Sequence, residues 1–476
     1  MISGFFRSAS RWTLFAALAY APWAYGGTTP ESIQITNWVL LAALVLWAIE
    51  LLISRRTPRF PRVLFVLTGA LLFVGGWMVF NAKSVYDSDF SVFVPLNNFV
   101  PPVIGSVDYP ISAAWMIRAA LLLGTILFVA DLSQSSRWLL RLWYVIGLVG
   151  GSIALLGLLQ KATGTLMIFW QPPPVNEYLR VTTFFATYFY HGNAGAYLNL
   201  VWPLSCGLVI RAFASGSHPW MRAMWTTVFL TTMAAVLANT SRMAQLIALL
   251  LLVAICAQFG SLLFRKFSGS KSVALAGALA VGLALIAFAQ ASHFEHALSR
   301  WQSQSEHIPT DARWQASRVA VRAVADGGLF GFGPGTFRVV FPTYNRSAST
   351  EVPGTWRFLH EDYLQTLLEW GWVGGSLWAL LFFGGITLSI RAYKRHARRE
   401  WTPRRRVLQP LVIMALIGAA VHALVDFPIQ IESIQVYLAT YVGLCWGSVL
   451  WKDHGLRTTE HADRSVNWHS ATRSAA

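Results

Sequence analysis

Apolar runs close to the roughly 20 residues needed to cross a bilayer recur along nearly the whole chain, and polar residues gather in the breaks between them. The runs fall near 12–27, 38–53, 63–80, 111–130, 138–159, 187–210, 224–239, 244–264, 273–289, 367–390, 408–425 and 434–451. This pattern predicts an all-α polytopic membrane protein of about twelve transmembrane helices with one long extracytoplasmic loop containing short helices. The expected organisation is helices one to nine over residues 1–291, the loop over 292–364, helices ten to twelve over 365–451 and a tail over 452–476.

Composition agrees. The 476 residues are 55% hydrophobic and only 12% charged, whereas soluble globular chains are about 25% charged. A net charge of +16 could suggest nucleic acid, but the cations fall in every second loop. Arg7 and Arg11 precede the first run; Arg55, Arg56, Arg59 and Arg62 follow the second; Arg137 and Arg141, then Arg211 and Arg222, continue the series, and Arg391 to Arg406 hold its densest part. That is the positive-inside pattern, which predicts cytoplasmic termini and attraction to anionic membrane lipid in place of nucleic-acid binding. Ala19-Tyr20-Ala21 resembles a signal-peptidase site, but Pro22 follows it and the start is weakly cationic, so a retained helix is expected. Cys206, Cys256 and Cys445 have neither zinc nor disulfide spacing and read as packing residues.

Alternation places three sizeable segments outside the cytoplasm. The first contains Asp87-Ser88-Asp89, a spacing that hard cations favour and that an exposed turn explains equally; no metal site is assigned to it. The second contains Pro172-Pro173-Pro174, Glu177, Tyr178 and Arg180. In the long loop, Pro309-Thr310-Asp311 starts an amphipathic helix that Gly327-Gly328 ends, with Arg318 and Arg322 on one face. Phe330-Gly331-Phe332-Gly333-Pro334-Gly335 lacks the ending and setting of a phosphate-binding loop and reads as a tight turn returning aromatic side chains to the bilayer. Arg313, Arg338, Arg346 and Arg357 add cations suited to a phosphorylated lipid. His360-Glu361-Asp362-Tyr363-Leu364-Gln365 then stands where the loop re-enters the membrane.

Further polar groups fall at helix ends on the same side: His191 and Asn193 at the start of helix six, Arg242 where helix seven meets helix eight, and His422 and Asp426, spaced i, i+4, at the outer end of helix eleven. Ionisable groups are costly there and mark pathways or reaction sites. Arg118, inside helix four, either snorkels or faces the same cavity.

The ordered set Thr182-Thr183, His191-Gly192-Asn193, Thr240-Ser241-Arg242, Arg313-Trp314, Leu329 to Gly335, His360 to Gln365, Glu369-Trp370-Gly371 and His422 to Asp426 resembles the bacterial O-antigen ligase and O-antigen polymerase superfamily, over about residues 180–430. The resemblance implies a GT-C-like glycosyltransferase of the inner membrane, acting at its periplasmic face on an undecaprenyl-diphosphate-linked glycan donor. Ligases of this type pass the glycan to the lipid A core, polymerases to another lipid-linked repeat, and related members to protein hydroxyls. Where members commonly have Asn after the loop histidine this chain has Glu361, and His191-Gly192-Asn193 stands where Asn-Pro-Asn is usual.

Such a transfer needs a base for the acceptor hydroxyl and cations for the departing diphosphate. His360, Arg242 and Arg313 are the expected catalytic residues, with Arg318, Arg322, His191, Asn193, Glu361, Tyr363, His422 and Asp426 as substrate-binding candidates. Arginine neutralises diphosphate unaided, so neither metal nor cofactor is expected, and a single displacement with inversion is implied. A solute transporter is the competing class; the absence of an evident inverted repeat and the gathering of cations at one face favour the enzyme.

Overall fold

The computed structural model describes residues 2–101, 103–172, 183–267, 312–348 and 351–451, the side chains of 261–267 excepted. Among these residues nine helices are long and apolar enough to cross a membrane. The expected helix at 273–289 and the tail lie outside the described residues.

The chain is an all-α membrane bundle. Its helices are α1 (Ile2–Trp23), α2 (Pro30–Ser54), α3 (Arg62–Phe80), α4 (Tyr109–Leu132), α5 (Ser136–Thr163), α6 (His191–Ala214), α7 (Pro219–Ala238), α8 (Arg242–Phe267), α9 (Ala312–Gly327), α10 (Phe337–Arg346), α11 (Asp362–Glu400), α12 (Pro403–His422) and α13 (Glu432–Ser448). Helices α6 and α12 are the most enclosed of the nine spans, and α2 and α7 the least. The shorter α13 is buried along its length. Exposed Trp38, Leu52, Phe65, Phe73 and Leu230 form part of the apolar outer surface of α2, α3 and α7, as lipid requires.

Lipid tails are as apolar as leucine, so close backbone approach, not hydrophobic exclusion, joins such helices. Gly443 and Gly447, four apart on α13, supply it: a methyl group at either would fall 2.7 or 2.8 Å from the carbonyl oxygens of Ile126 and Ala130 on α4.

At the opposite end from the long loop, cations read as orientation signals do more. Arg56 bonds Asp131 at 2.9 and 2.8 Å and Glu50 at 2.7 Å, and Arg7 bonds Glu50 at 3.0 Å. Both acids are buried, so this network ties α1, α2 and α4 together.

Outside the bundle, β1 (Ser84–Asp87) pairs antiparallel with β2 (Val92–Pro95), Ser84 opposite Pro95. Asp87 Oδ1 accepts the amide hydrogens of Asp89 and Phe90 at 2.9 and 3.2 Å, the turn-forming role of Asp. Helices α9 and α10 enclose a second apolar core of Ala316, Ala320, Ala323, Phe337, Phe341, Leu359 and Leu368.

Helix α11 is broken at Gly371 (φ 61, ψ −170), a conformation essentially confined to glycine. The break frees carbonyls, and the glycine-rich loop takes them: Phe332 N–H bonds Leu368 O at 3.0 Å, Gly333 N–H bonds Glu369 O at 2.9 Å, and Val373 N–H bonds Leu329 O at 2.9 Å. The glycine-rich turn is thus docked on α11, where its backbone groups gain partners.

Candidate functional site

The site forms where the N-terminus of α6, the segment before α11 and the turn after α12 meet. His360 has a left-handed backbone (φ 62), uncommon outside glycine. It does not cap α11. Glu361 does, accepting the Leu364 amide hydrogen with its side chain. Burial pushes the Glu361 carboxyl above its ordinary value, against the two backbone hydrogen bonds it accepts.

Helix α12 ends at His422, so Asp426 does not stack beneath it one helical turn away, as i, i+4 spacing on one helix would require. Asp426 instead lies in the turn, where Oδ1 meets His360 Nδ1 at 2.9 Å and accepts from Phe427 N at 3.1 Å, while Oδ2 accepts from the Tyr190 hydroxyl at 2.9 Å. Arg313 Nη2 donates to that hydroxyl at 3.2 Å. The result is a continuous chain, Arg313 to Tyr190 to Asp426 to His360. Burial acts to raise the Asp426 carboxyl, but the His360 hydrogen bond and the charges of His360, His422 and Arg313 outweigh it, leaving it below its ordinary value. Burial and the neighbouring Asp426 charge raise the Tyr190 hydroxyl, so it remains a donor. An ionised Asp426 selects the tautomer with hydrogen on Nδ1 and leaves the Nε2 lone pair of His360 available to accept a proton.

Aromatic rings fix the imidazole. Phe427 meets it edge-on at 4.5 Å, Trp356 at 5.9 Å and Tyr190 at 6.1 Å, and Tyr190 stacks on Phe427 at 5.6 Å.

The other expected residues distribute unevenly. His191 begins α6 beside Tyr190, with Nδ1 3.2 Å from Thr183 O, and Asp426 and Arg313 lie within electrostatic reach of it. Asn239 Nδ2 donates to His191 O at 2.9 Å, which ties the end of α7 to the start of α6, and Arg242 opens α8 three residues later. Asn193 and His422 are buried, and neither Asn193 Oδ1 nor either His422 ring nitrogen has a hydrogen-bond partner among the described residues. Tyr363 donates to Ala420 O at 2.7 Å, joining α11 to α12. Arg318 and Arg322 lie on the exposed side of α9. Glu177, Tyr178 and Arg180 fall outside the described residues. Arg118 does not snorkel: it is buried, pairs with Glu432 and donates to Gln430 O at 3.2 Å.

Sequence reasoning missed Tyr190, Phe427 and Glu432 as partners. Tyr190 and Phe427 gave no signal among neighbouring aromatics, whereas Glu432, an acid before an apolar run, was a detectable counterion for Arg118.

Two cavities flank the start of α11. One, about 320 Å³, is lined by Pro353, Gly354, Thr355, Trp356, Arg357, Phe358, His360 and Phe427. The other, about 400 Å³ and mainly apolar, lies between α4, α11, α12 and α13, with Arg118, Glu369 and Gln430 among its lining. Among the described residues no group of three or more His, Cys, Asp or Glu side chains is placed to hold a metal ion.

Residues 227–379 match the O-antigen ligase family. This supports placing the chain in the O-antigen ligase and polymerase superfamily, with glycan transfer of that general type and lipid-linked glycan and acceptor substrates. The O-antigen ligase match takes in Arg242, Arg313, His360 and Glu369. Tyr190 and Asp426, which complete the hydrogen-bonded chain, lie outside it. No curated protein matches the sequence.

Proposed function

We infer that the protein transfers a glycan from an undecaprenyl-diphosphate-linked donor to an acceptor hydroxyl at the periplasmic face of the inner membrane, as an O-antigen ligase using the lipid A core. The observation that carries this reading is the chain from Arg313 through Tyr190 and Asp426 to His360 in a membrane protein with an O-antigen ligase match.

His360 Nε2 takes the proton of the acceptor hydroxyl. The freed oxygen pair attacks the anomeric carbon as its bond to the diphosphate oxygen breaks, and the leaving pair departs with undecaprenyl diphosphate. Arg313, together with Arg242, neutralises the charge that develops there. Asp426 is a positioning residue, holding the imidazole tautomer and balancing its positive charge after proton transfer, the division of labour seen whenever a buried carboxylate orients a catalytic histidine. Arginine cations make a metal unnecessary, and a single displacement inverts the anomeric centre.

The test uses the full chain in proteoliposomes with lipid-linked oligosaccharide donor and lipid A core acceptor, in chelator. His360→Ala should slow transfer by about 10²–10⁴-fold, the usual contribution of a general base, while donor binding is retained. Arg313→Lys keeps charge but loses the planar fork and should weaken donor use. Wild-type turnover by His360→Ala would overturn the assignment, and elongation of the lipid-linked donor with the core left unmodified would make the enzyme a polymerase.

A further inference from the structure

The cleft beside His360 has the features of a sugar-binding subsite. Its wall carries Trp356, Phe358 and Phe427, its rim carries the exposed Thr355 and Arg357, and His360 borders it. A pyranose ring has the complementary chemistry: one face of C–H groups that covers an aromatic plane, and an edge of hydroxyls that needs polar partners. At about 320 Å³ the cleft is at the small end of ligand-sized cavities.

The wall is also held in place before any ligand arrives. Trp356 Nε1 donates to Pro353 O at 3.2 Å, and its ring lies 6.0 Å from Phe341, which belongs to the second core. Phe358 stacks on Phe427 at 5.0 Å. Rigid aromatic surfaces lose little entropy on binding. The segment reaches this position through Gly354, whose φ of 94 and open surroundings let the chain turn sharply ahead of Trp356.

The position of the cleft distinguishes between the two sugars of a transfer reaction. Arg313 and Tyr190 line no part of it, whereas His360 does, and with Nδ1 committed to Asp426 the nitrogen left for a ligand is Nε2. We propose that this cleft is the acceptor subsite, in which a neutral hexose-like ring lies against Trp356 and Phe358 and presents one hydroxyl to His360. The assignment rests on the reading of His360 as the base.

Two measurements test it on the full-length protein in nanodiscs. Saturation-transfer NMR with millimolar methyl hexosides should show transfer to ring C–H protons, lost in Trp356→Ala and kept in Trp356→Phe. In the transfer assay, Trp356→Ala should raise the acceptor KM by about tenfold, the scale of a buried aromatic anchor, with the donor KM unchanged and Trp356→Phe restoring most of the loss. Hexoside binding that is indifferent to Trp356, or a change confined to the donor KM, overturns the proposal. Because the hexoside experiment needs no turnover, it reads the cleft even if His360→Ala proves active and the base assignment fails.

Discussion

Glu369 Oε2 accepts the amide hydrogen of Gly335 at 2.9 Å, across 34 positions of sequence. Its other oxygen accepts from Phe337 N at 3.4 Å and from Gln365 Nε2 at 3.0 Å. One buried carboxylate on α11 thus caps α10 from outside, since Thr336 makes no side-chain cap, and also holds Gln365, whose Oε1 accepts the amide of Leu359 at 3.0 Å. The glycine-rich loop and the residue before His360 share a single anchor.

Glu369→Gln should therefore be costly. An amide has one acceptor oxygen and would turn an NH₂ toward backbone donors, leaving buried groups unpaired at about 1–3 kcal/mol. Thermal unfolding in detergent should show a clear loss of stability, and transfer should fall with it. An unchanged melting profile would mean that the loop is held by its main-chain bonds alone.

The two partners of Asp426 separate by role. Asp426→Asn removes the charge that selects the His360 tautomer, and turnover should drop by about 10²-fold or more, within the range of lost general-base catalysis. Tyr190→Phe keeps the stack on Phe427 and removes only the bridge to Arg313, so the loss should be smaller and weighted toward donor KM. Equal losses in kcat for both variants would contradict this division.

The acid side of the stability profile follows from Asp426. Its carboxyl lies below the ordinary value in the folded protein, so its contribution is complete above about pH 4, the unfolded carboxyl range, and is lost as pH falls through the lower folded value. Melting temperature measured from pH 7 down to 3 should fall in acid for the wild type and fall less steeply for Asp426→Asn, which has no carboxyl to titrate there.

Orientation is open to chemical labelling. The alternation of basic loops predicts that α9 and α10 face the periplasm. A cysteine placed at the exposed Ser347, in a background without the three native cysteines, should react with an impermeant maleimide in intact spheroplasts. Reaction only after lysis would place the loop in the cytoplasm and exclude a periplasmic site.

The helices were readable because a long apolar run must satisfy its backbone groups internally once it enters lipid, and a helix does so within a single segment. The His360 cluster was readable because it stands immediately before such a run, where the loop re-enters the bundle. The break at Gly371 was hidden, since Trp370-Gly371-Trp372 continues an apolar run. Asp426 was found but misplaced: i, i+4 spacing from His422 suggested one helix face, and only the helix end at His422 turns the carboxylate toward His360. Glu50 and Asp131 were missed for a different reason. Each is a solitary acid at the end of an apolar stretch, and no local pattern says that Arg56, six residues after Glu50, will also reach Asp131 on a different helix.

Apart from the Glu369 carboxylate, the bonds that dock the glycine-rich loop on the broken helix run from main chain to main chain. Phe330 and Leu329 can therefore change identity without severing them, whereas Gly371 cannot, because a side chain there would collide with the Leu329 carbonyl at 2.4 Å. Leu329 and Phe330 can vary over a seat that does not depend on their side chains, so the surface they offer can change without rebuilding the frame that holds the histidine.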